Sequence, residues 1–160
     1  MIQSLREATR LLSPPVLLAM LVLGFASGLP LMMLYSKLSF RLAEAGIDRS
    51  TIGFMYWITL AYSIKWMWAP VVDRVRLPVL GSLGRRRSWM VLAIIGTVMG
   101  LAIIAVSDPA TQLGVTLIGA GLLAYSGATL DISVDAWRIE SAENDAQSAM
   151  AALYQWGYRF

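Results

Sequence analysis

The sequence predicts an all-α membrane protein, and three observations carry that prediction. Hydrophobic residues make up 58% of the 160-residue chain and charged residues only 14%, against roughly 25% charged in a soluble domain. The mean hydropathy is +0.64, so polar side chains are too few to cover a water-facing surface. The charges themselves are grouped, and the apolar runs between them match the ~20 residues that a helix needs to cross a ~30 Å hydrocarbon core.

Taken in order, the uncharged run Leu11–Ser36 contains the first predicted span, 14–36. The stretch between Arg49 and Asp73, whose only charge is Lys65, gives the second, 51–70. The run between Arg87 and Asp108 gives the third, 88–107, and that between Asp108 and Asp131 starts the fourth, 112–136. A last apolar run after Gln147 predicts the start of a fifth, 148–160. The turn Ser107–Asp108–Pro109 is too short for anything but antiparallel neighbours, whereas Pro78, Gly81 and Gly84 break the longer connection before the arginines. The first run lacks a small-residue cleavage site near its end and is expected to be retained.

Lys and Arg are unevenly shared between the two sides. Arg6, Arg10, Arg74, Arg76, Arg85, Arg86, Arg87 and Arg138 fall on one side, and Lys37, Arg41 and Arg49 on the other. The positive-inside rule then places the N-terminus in the cytoplasm of a multi-pass protein. The net charge of +3 records this topology and calls for no nucleic-acid partner; the expected surroundings are the lipid bilayer.

Zero cysteines exclude disulfides, thiol catalysis and thiolate metal sites. Zero histidines remove the commonest general base and pH switch. No cofactor or metal is called for, and the chemistry falls to carboxylates, Lys, Arg and hydroxyls. Asp131 and Asp135 stand one turn apart on a helical face that continues to Arg138. A charge inside a span is costly and normally faces a cavity or a partner, which makes Asp131 and Asp135 candidates for a proton or substrate site. Asp135 and Arg138 also fit an ordinary solvated i,i+3 pair. Lys65 fits either a lysine snorkelling to the interface or a buried partner of Asp131 or of a substrate anion.

Gly24, Gly28 and Pro30 in the first span read as a close-packing face followed by a kink, or as a flexing point. Asp73 and Arg74 ending one helix, with Gly84, Arg85 and Arg86 opening the next, suit an ion-pair latch between helix ends, completed by Arg138. A charge-assisted bond of this kind is worth about 1.5–3 kcal/mol. The same arginine run also fits a stop-transfer anchor or a binder of anionic lipid.

Asp73-Arg74 followed by Gly84-Arg85-Arg86 resembles the loop between the second and third helices of major facilitator superfamily transporters. Phe25 to Pro30 (FASGLP), Tyr62 to Pro70 (YSIKWMWAP), Asp131 to Arg138 (DISVDAWR) and Ala152 to Arg159 (ALYQWGYR) resemble the anhydromuropeptide permease (AmpG-like) branch, in order along the chain. Leu130 and the stretch Ser148–Met150 depart from that branch's pattern. The resemblance implies the N-terminal part of a major facilitator fold, four spans and the start of a fifth. It also implies a bacterial inner-membrane symporter that imports amino-sugar peptides from cell-wall recycling with protons, not an enzyme. Such folds place substrate between two halves, so the remainder of a transporter chain is an expected partner. Two other readings stay open: a small four-helix membrane protein acting as an oligomeric exporter or partner, and a membrane enzyme using Asp131 and Asp135 to hold magnesium against a lipid phosphate.

Overall fold

A computed structural model describes residues 14–78, 83–141 and 144–159. Arg6, Arg10 and Gly81 lie outside the described residues. All regular structure among the described residues is helical. The helices are α1 (Pro14–Met32), α2 (Ser39–Glu44), α3 (Arg49–Met55), α4 (Leu60–Ile64), α5 (Ala69–Arg74), α6 (Arg85–Val106), α7 (Leu113–Ser141) and α8 (Asn144–Arg159).

α1 and α2 form one rod through a π turn at Met33–Leu38. Pro30, three residues before it, lies inside α1 and supplies no N–H to the preceding turn. The rod ends at Gly46, whose φ of 77° favours glycine. Asp48 then starts α3 by accepting from the Thr51 N–H at 3.1 Å and the Thr51 hydroxyl at 2.6 Å. A bond from the Ser50 hydroxyl, with those from Thr51, favours the carboxylate and lowers its pKa to about 2.

The segment 51–70 is not the single helix that its hydropathy predicts. It is a chain of short pieces, α3, α4 and α5, joined by 3-10 turns at Tyr56–Thr59 and Lys65–Met67. At the first break the Thr59 hydroxyl donates to the Tyr56 carbonyl at 2.6 Å and lies 3.0 Å from the Tyr35 hydroxyl. At the second, Ile64 (φ −98°, ψ 6°) leaves the helical region. Pro70, in the first turn of α5, cannot continue the ladder backwards. Three helices among the described residues are long and apolar enough to cross a membrane: Val16–Glu44, Arg85–Val106 and Leu113–Ser141.

α7 is the central element, and Ser126 to Val134 are buried without interruption. Its turn from α6 is built by Asp108, which accepts from the Ala110 N–H and the Thr111 hydroxyl, and by the buried Ser107–Thr116 hydroxyl pair at 2.9 Å. Arg41 donates to the Ile104 and Ser107 carbonyls, which the end of α6 leaves without intrahelical partners. Small residues set the spacing. A Cβ on Gly100 would lie 2.8 Å from the Leu123 nitrogen, and one on Gly127 would meet Tyr62 and Pro30.

Two apolar clusters result. Leu34, Leu38, Leu42, Met55, Leu123 and Ala124 fill one end of the bundle, and Met90, Ala93, Leu130, Val134 and Tyr154 fill the other. Leu130, which departs from the family pattern, is thus a core residue.

Gly24 and Gly28 are packing positions against α8. A Cβ on Gly24 would strike the Tyr154 carbonyl, and one on Gly28 the Tyr158 carbonyl. The contacts advance together along both helices, so α1 and α8 run in the same sense. Gly28→Val should therefore lower stability by about 1–3 kcal/mol in reversible unfolding from mixed micelles. Gly53→Ala, with nothing within 4 Å of the added carbon, should change it by less than about 0.5 kcal/mol. Equal stabilities would refute the close α1–α8 contact.

Candidate functional site

Asp131 is a carboxylate only 8% exposed in the middle of the buried stretch of α7. Two donors reach it from different elements. The Lys65 ammonium bonds to Oδ2, and the Tyr154 hydroxyl donates to Oδ1. Lys65 reaches inward because it opens the 3-10 turn between α4 and α5, where the chain leaves ideal helix geometry. Trp68 pins the far side of that turn to α7: its Nε1 donates to the Thr129 hydroxyl at 3.2 Å, and its ring packs 5.0 Å from that of Tyr125. Tyr154 is placed by the glycine-mediated approach of α8 to α1.

Of the arrangements left open for Lys65, the structure contains the pair with Asp131, with the Lys65 side chain 31% exposed. Asp135 sits one turn along α7 and accepts from Arg138 Nη2 at 3.2 Å. Asp131, Asp135, Lys65 and Arg138 line a cavity of about 290 Å³, with Tyr154, Gln155 and Tyr158 on its α8 wall. A cavity with both signs of charge, one acid deeply buried and one partly open, has the groups needed to hold a polar ligand and to exchange a proton. A magnesium ion at the same carboxylates would have to displace the Lys65 and Arg138 cations, and no group of three metal-ligating side chains occurs among the described residues.

The end of the bundle at which α6 begins carries a second charged group. Arg86 donates to Asp73 at 2.5 Å and to Glu140 at 2.5 and 3.1 Å. Arg85 reaches Glu140 at 3.4 Å. Asp73 and Arg86 thus meet, but the third member is Glu140 rather than the expected Arg138. The reason is helical: residues 131, 135 and 138 share one face of α7, whereas position 140 lies about 200° round from 138. Arg74 is exposed and forms no ion pair among the described residues. Gly84 contributes its backbone, with φ 86° at the start of α6.

Tyr154 and Glu140 are the side chains at these two charged groups that sequence reasoning did not single out. For Tyr154 the available signal was a polar-tipped aromatic one turn from Tyr158 on one face of an apolar run. Glu140 gave none, because an acidic residue at a helix end is ordinarily solvated.

The family model described as acetyl-coenzyme A transporter 1 matches residues 16–118. The chain belongs to that transporter family. It is 37% identical over 140 residues to a putative transporter AmpG 4 of Rickettsia conorii, covering 86% of this chain and 33% of the relative. It is 35% identical over 150 residues to the anhydromuropeptide permease of Escherichia coli K12, covering 94% of this chain and 30% of the relative. A Haemophilus influenzae protein described as uncharacterized is 43% identical over 117 residues. The chain spans about a third of the length of the curated relatives it matches. The resemblance to the AmpG-like branch is therefore upheld along nearly the whole chain, and neither relative's name denotes an enzyme. No solved structure matches it.

The Arg86 group is testable by itself. Its acids are half-exposed, Asp73 at 48% and Glu140 at 46%, while the Arg86 side chain is 11% exposed. Solvent screening at the acid ends reduces each pair to about 0.5–1 kcal/mol, below the sequence expectation. Arg86→Gln removes both pairs and should destabilise more than Asp73→Asn or Glu140→Gln alone. A double-mutant cycle on Asp73 and Arg86 should return a coupling of about 0.5–1 kcal/mol, and a zero coupling would dissolve the group.

Proposed function

We propose that the chain forms part of a proton-coupled symporter that carries an anhydromuropeptide-like amino-sugar peptide inward across the bacterial inner membrane, with its N-terminus cytoplasmic. The observation that carries this reading is the buried Asp131 carboxylate, held between Lys65 and Tyr154 and facing a polar cavity. The name of the Escherichia coli relative supports the substrate class. The chain's length relative to its relatives supports a longer transporter whose remaining helices close the cavity.

In this mechanism Asp131 changes charge, and Lys65 reports the change. When a proton and a substrate anion arrive together, Asp131 takes the proton and Lys65 turns from Asp131 to the substrate's carboxylate. Neither exchange leaves an unpaired charge in the low-dielectric interior. Asp135 and Arg138 sit nearer the open side of the cavity and relay the proton and guide the anion. The Asp73–Arg86–Glu140 group, with Arg85 at its edge, holds the helix ends in one conformation, and its opening accompanies the transport step.

In the transporter that carries this segment, Asp131→Asn should abolish accumulation beyond the equilibrium ratio in energised vesicles while keeping downhill exchange. Asp135→Asn should be milder and shift the pH optimum. Uphill accumulation by Asp131→Asn equal to that of the wild type would place proton coupling elsewhere.

The orientation rests on the Lys and Arg distribution and has its own test. A cysteine at Asp48 should be modified by an impermeant thiol reagent applied to intact cells, and one at Leu83 only after the membrane is permeabilised. The opposite pattern would invert the topology.

A further inference from the structure

The arginine run lines an open cavity, and Arg76, Arg87 and Trp137 of its wall take no part in the transport mechanism. It measures about 350 Å³ and lies where α6 begins, lined by Arg76, Arg85, Arg86, Arg87, Trp137 and Glu140. Four guanidinium groups face one carboxylate. Glu140 is turned toward Arg86 and Arg85, and Asp73 also engages Arg86. Arg76 and Arg87 have no ion-pair partner among the described residues, and the Arg85 Nε is shut from solvent without a hydrogen-bond partner. The cluster therefore keeps positive charge that no group among the described residues neutralises.

The backbone adds to this field. Gly84 caps α6 with no side-chain bond to the helix. The first intrahelical donor is the Ser88 N–H, which bonds to the Gly84 carbonyl at 3.1 Å. The amides of Arg85, Arg86 and Arg87 precede it and lie at the positive end of a 22-residue helix. Arginines at this end are repelled by the helix dipole, so their placement costs stability unless an anion offsets it. Guanidinium forks and free helix N–H groups together match the oxygens of a phosphate.

We propose that this cavity binds the phosphate of an anionic phospholipid headgroup. The position favours a lipid over a soluble anion. The cavity lies at the end of two apolar helices long enough to cross a membrane, and the exposed Leu92 and Ile95 on α6 give acyl chains a surface. Trp137 at its wall and Trp89, whose Nε1 donates to the Val75 carbonyl at 2.9 Å, suit the headgroup region.

The test is native mass spectrometry of the chain in micelles containing equal phosphatidylglycerol and phosphatidylcholine. The wild type should retain phosphatidylglycerol preferentially, and Arg76→Gln with Arg87→Gln should cut that preference by roughly tenfold with unchanged circular dichroism. These two side chains lie outside the Asp73–Arg86–Glu140 group, so loss of lipid preference is separable from loss of transport. Lys37→Gln with Arg49→Gln removes the same charge at the opposite end and should leave the preference intact. Arg76→Lys with Arg87→Lys keeps charge without the guanidinium fork and should fall between the wild type and the glutamine pair. Wild-type preference in the Arg76→Gln, Arg87→Gln chain would overturn the proposal, as would equal losses in both glutamine pairs. Millimolar inorganic phosphate should not displace the lipid. Displacement that requires Arg76 and Arg87 would assign the cavity to soluble phosphate and overturn the lipid assignment.

Discussion

A carboxylate in the middle of an apolar bundle must be neutralised or fully bonded, and in this chain the rest of the architecture follows from how Asp131 meets that demand. Lys65 and Tyr154 reach it from opposite sides, one from the broken segment before α5 and the other from α8. Three separate stretches of chain are thereby tied to one side chain. The break at Lys65–Met67 is what lets a lysine be presented at depth, since 3-10 turns within helical runs change the direction in which side chains leave the axis.

Such a group is tolerated because the helices around it approach closely. In lipid the hydrophobic effect does little to hold helix against helix, and small residues bring backbones into van der Waals contact instead. Gly24 and Gly28 against α8, Gly100 against α7 and Gly127 against Pro30 and Tyr62 serve this purpose. The apolar faces left over, including Leu18, Val98, Val106 and Ile118, remain exposed on the bundle's surface. That is the arrangement a lipid-facing helix or an incompletely enclosed transporter segment requires.

The two ends of α6 are handled by arginine in opposite ways. At its C-terminal end Arg41 bonds carbonyls that carry partial negative charge, in agreement with the helix dipole. At its N-terminal end Arg85, Arg86 and Arg87 oppose that dipole, and Asp73 and Glu140 compensate for Arg86.

Composition and charge spacing determined that this is a helical membrane protein, because bilayer thickness fixes span length and lysine and arginine mark the ends. They also placed Asp131 inside a span and marked Asp73 and Arg86 as partners across a loop. The breaks in the second segment were decided by Thr59, Ile64 and Pro70 acting on local backbone geometry, which mean hydropathy averages away. The choice of Glu140 over Arg138 followed from the rotation of α7 against α6, and two residues of shift change the face by more than half a turn. Tyr154 became a partner of Asp131 only when Gly24 and Gly28 let α8 close on α1. Residue type and spacing specify which groups need partners; the rotation and approach of helices choose which partners they find.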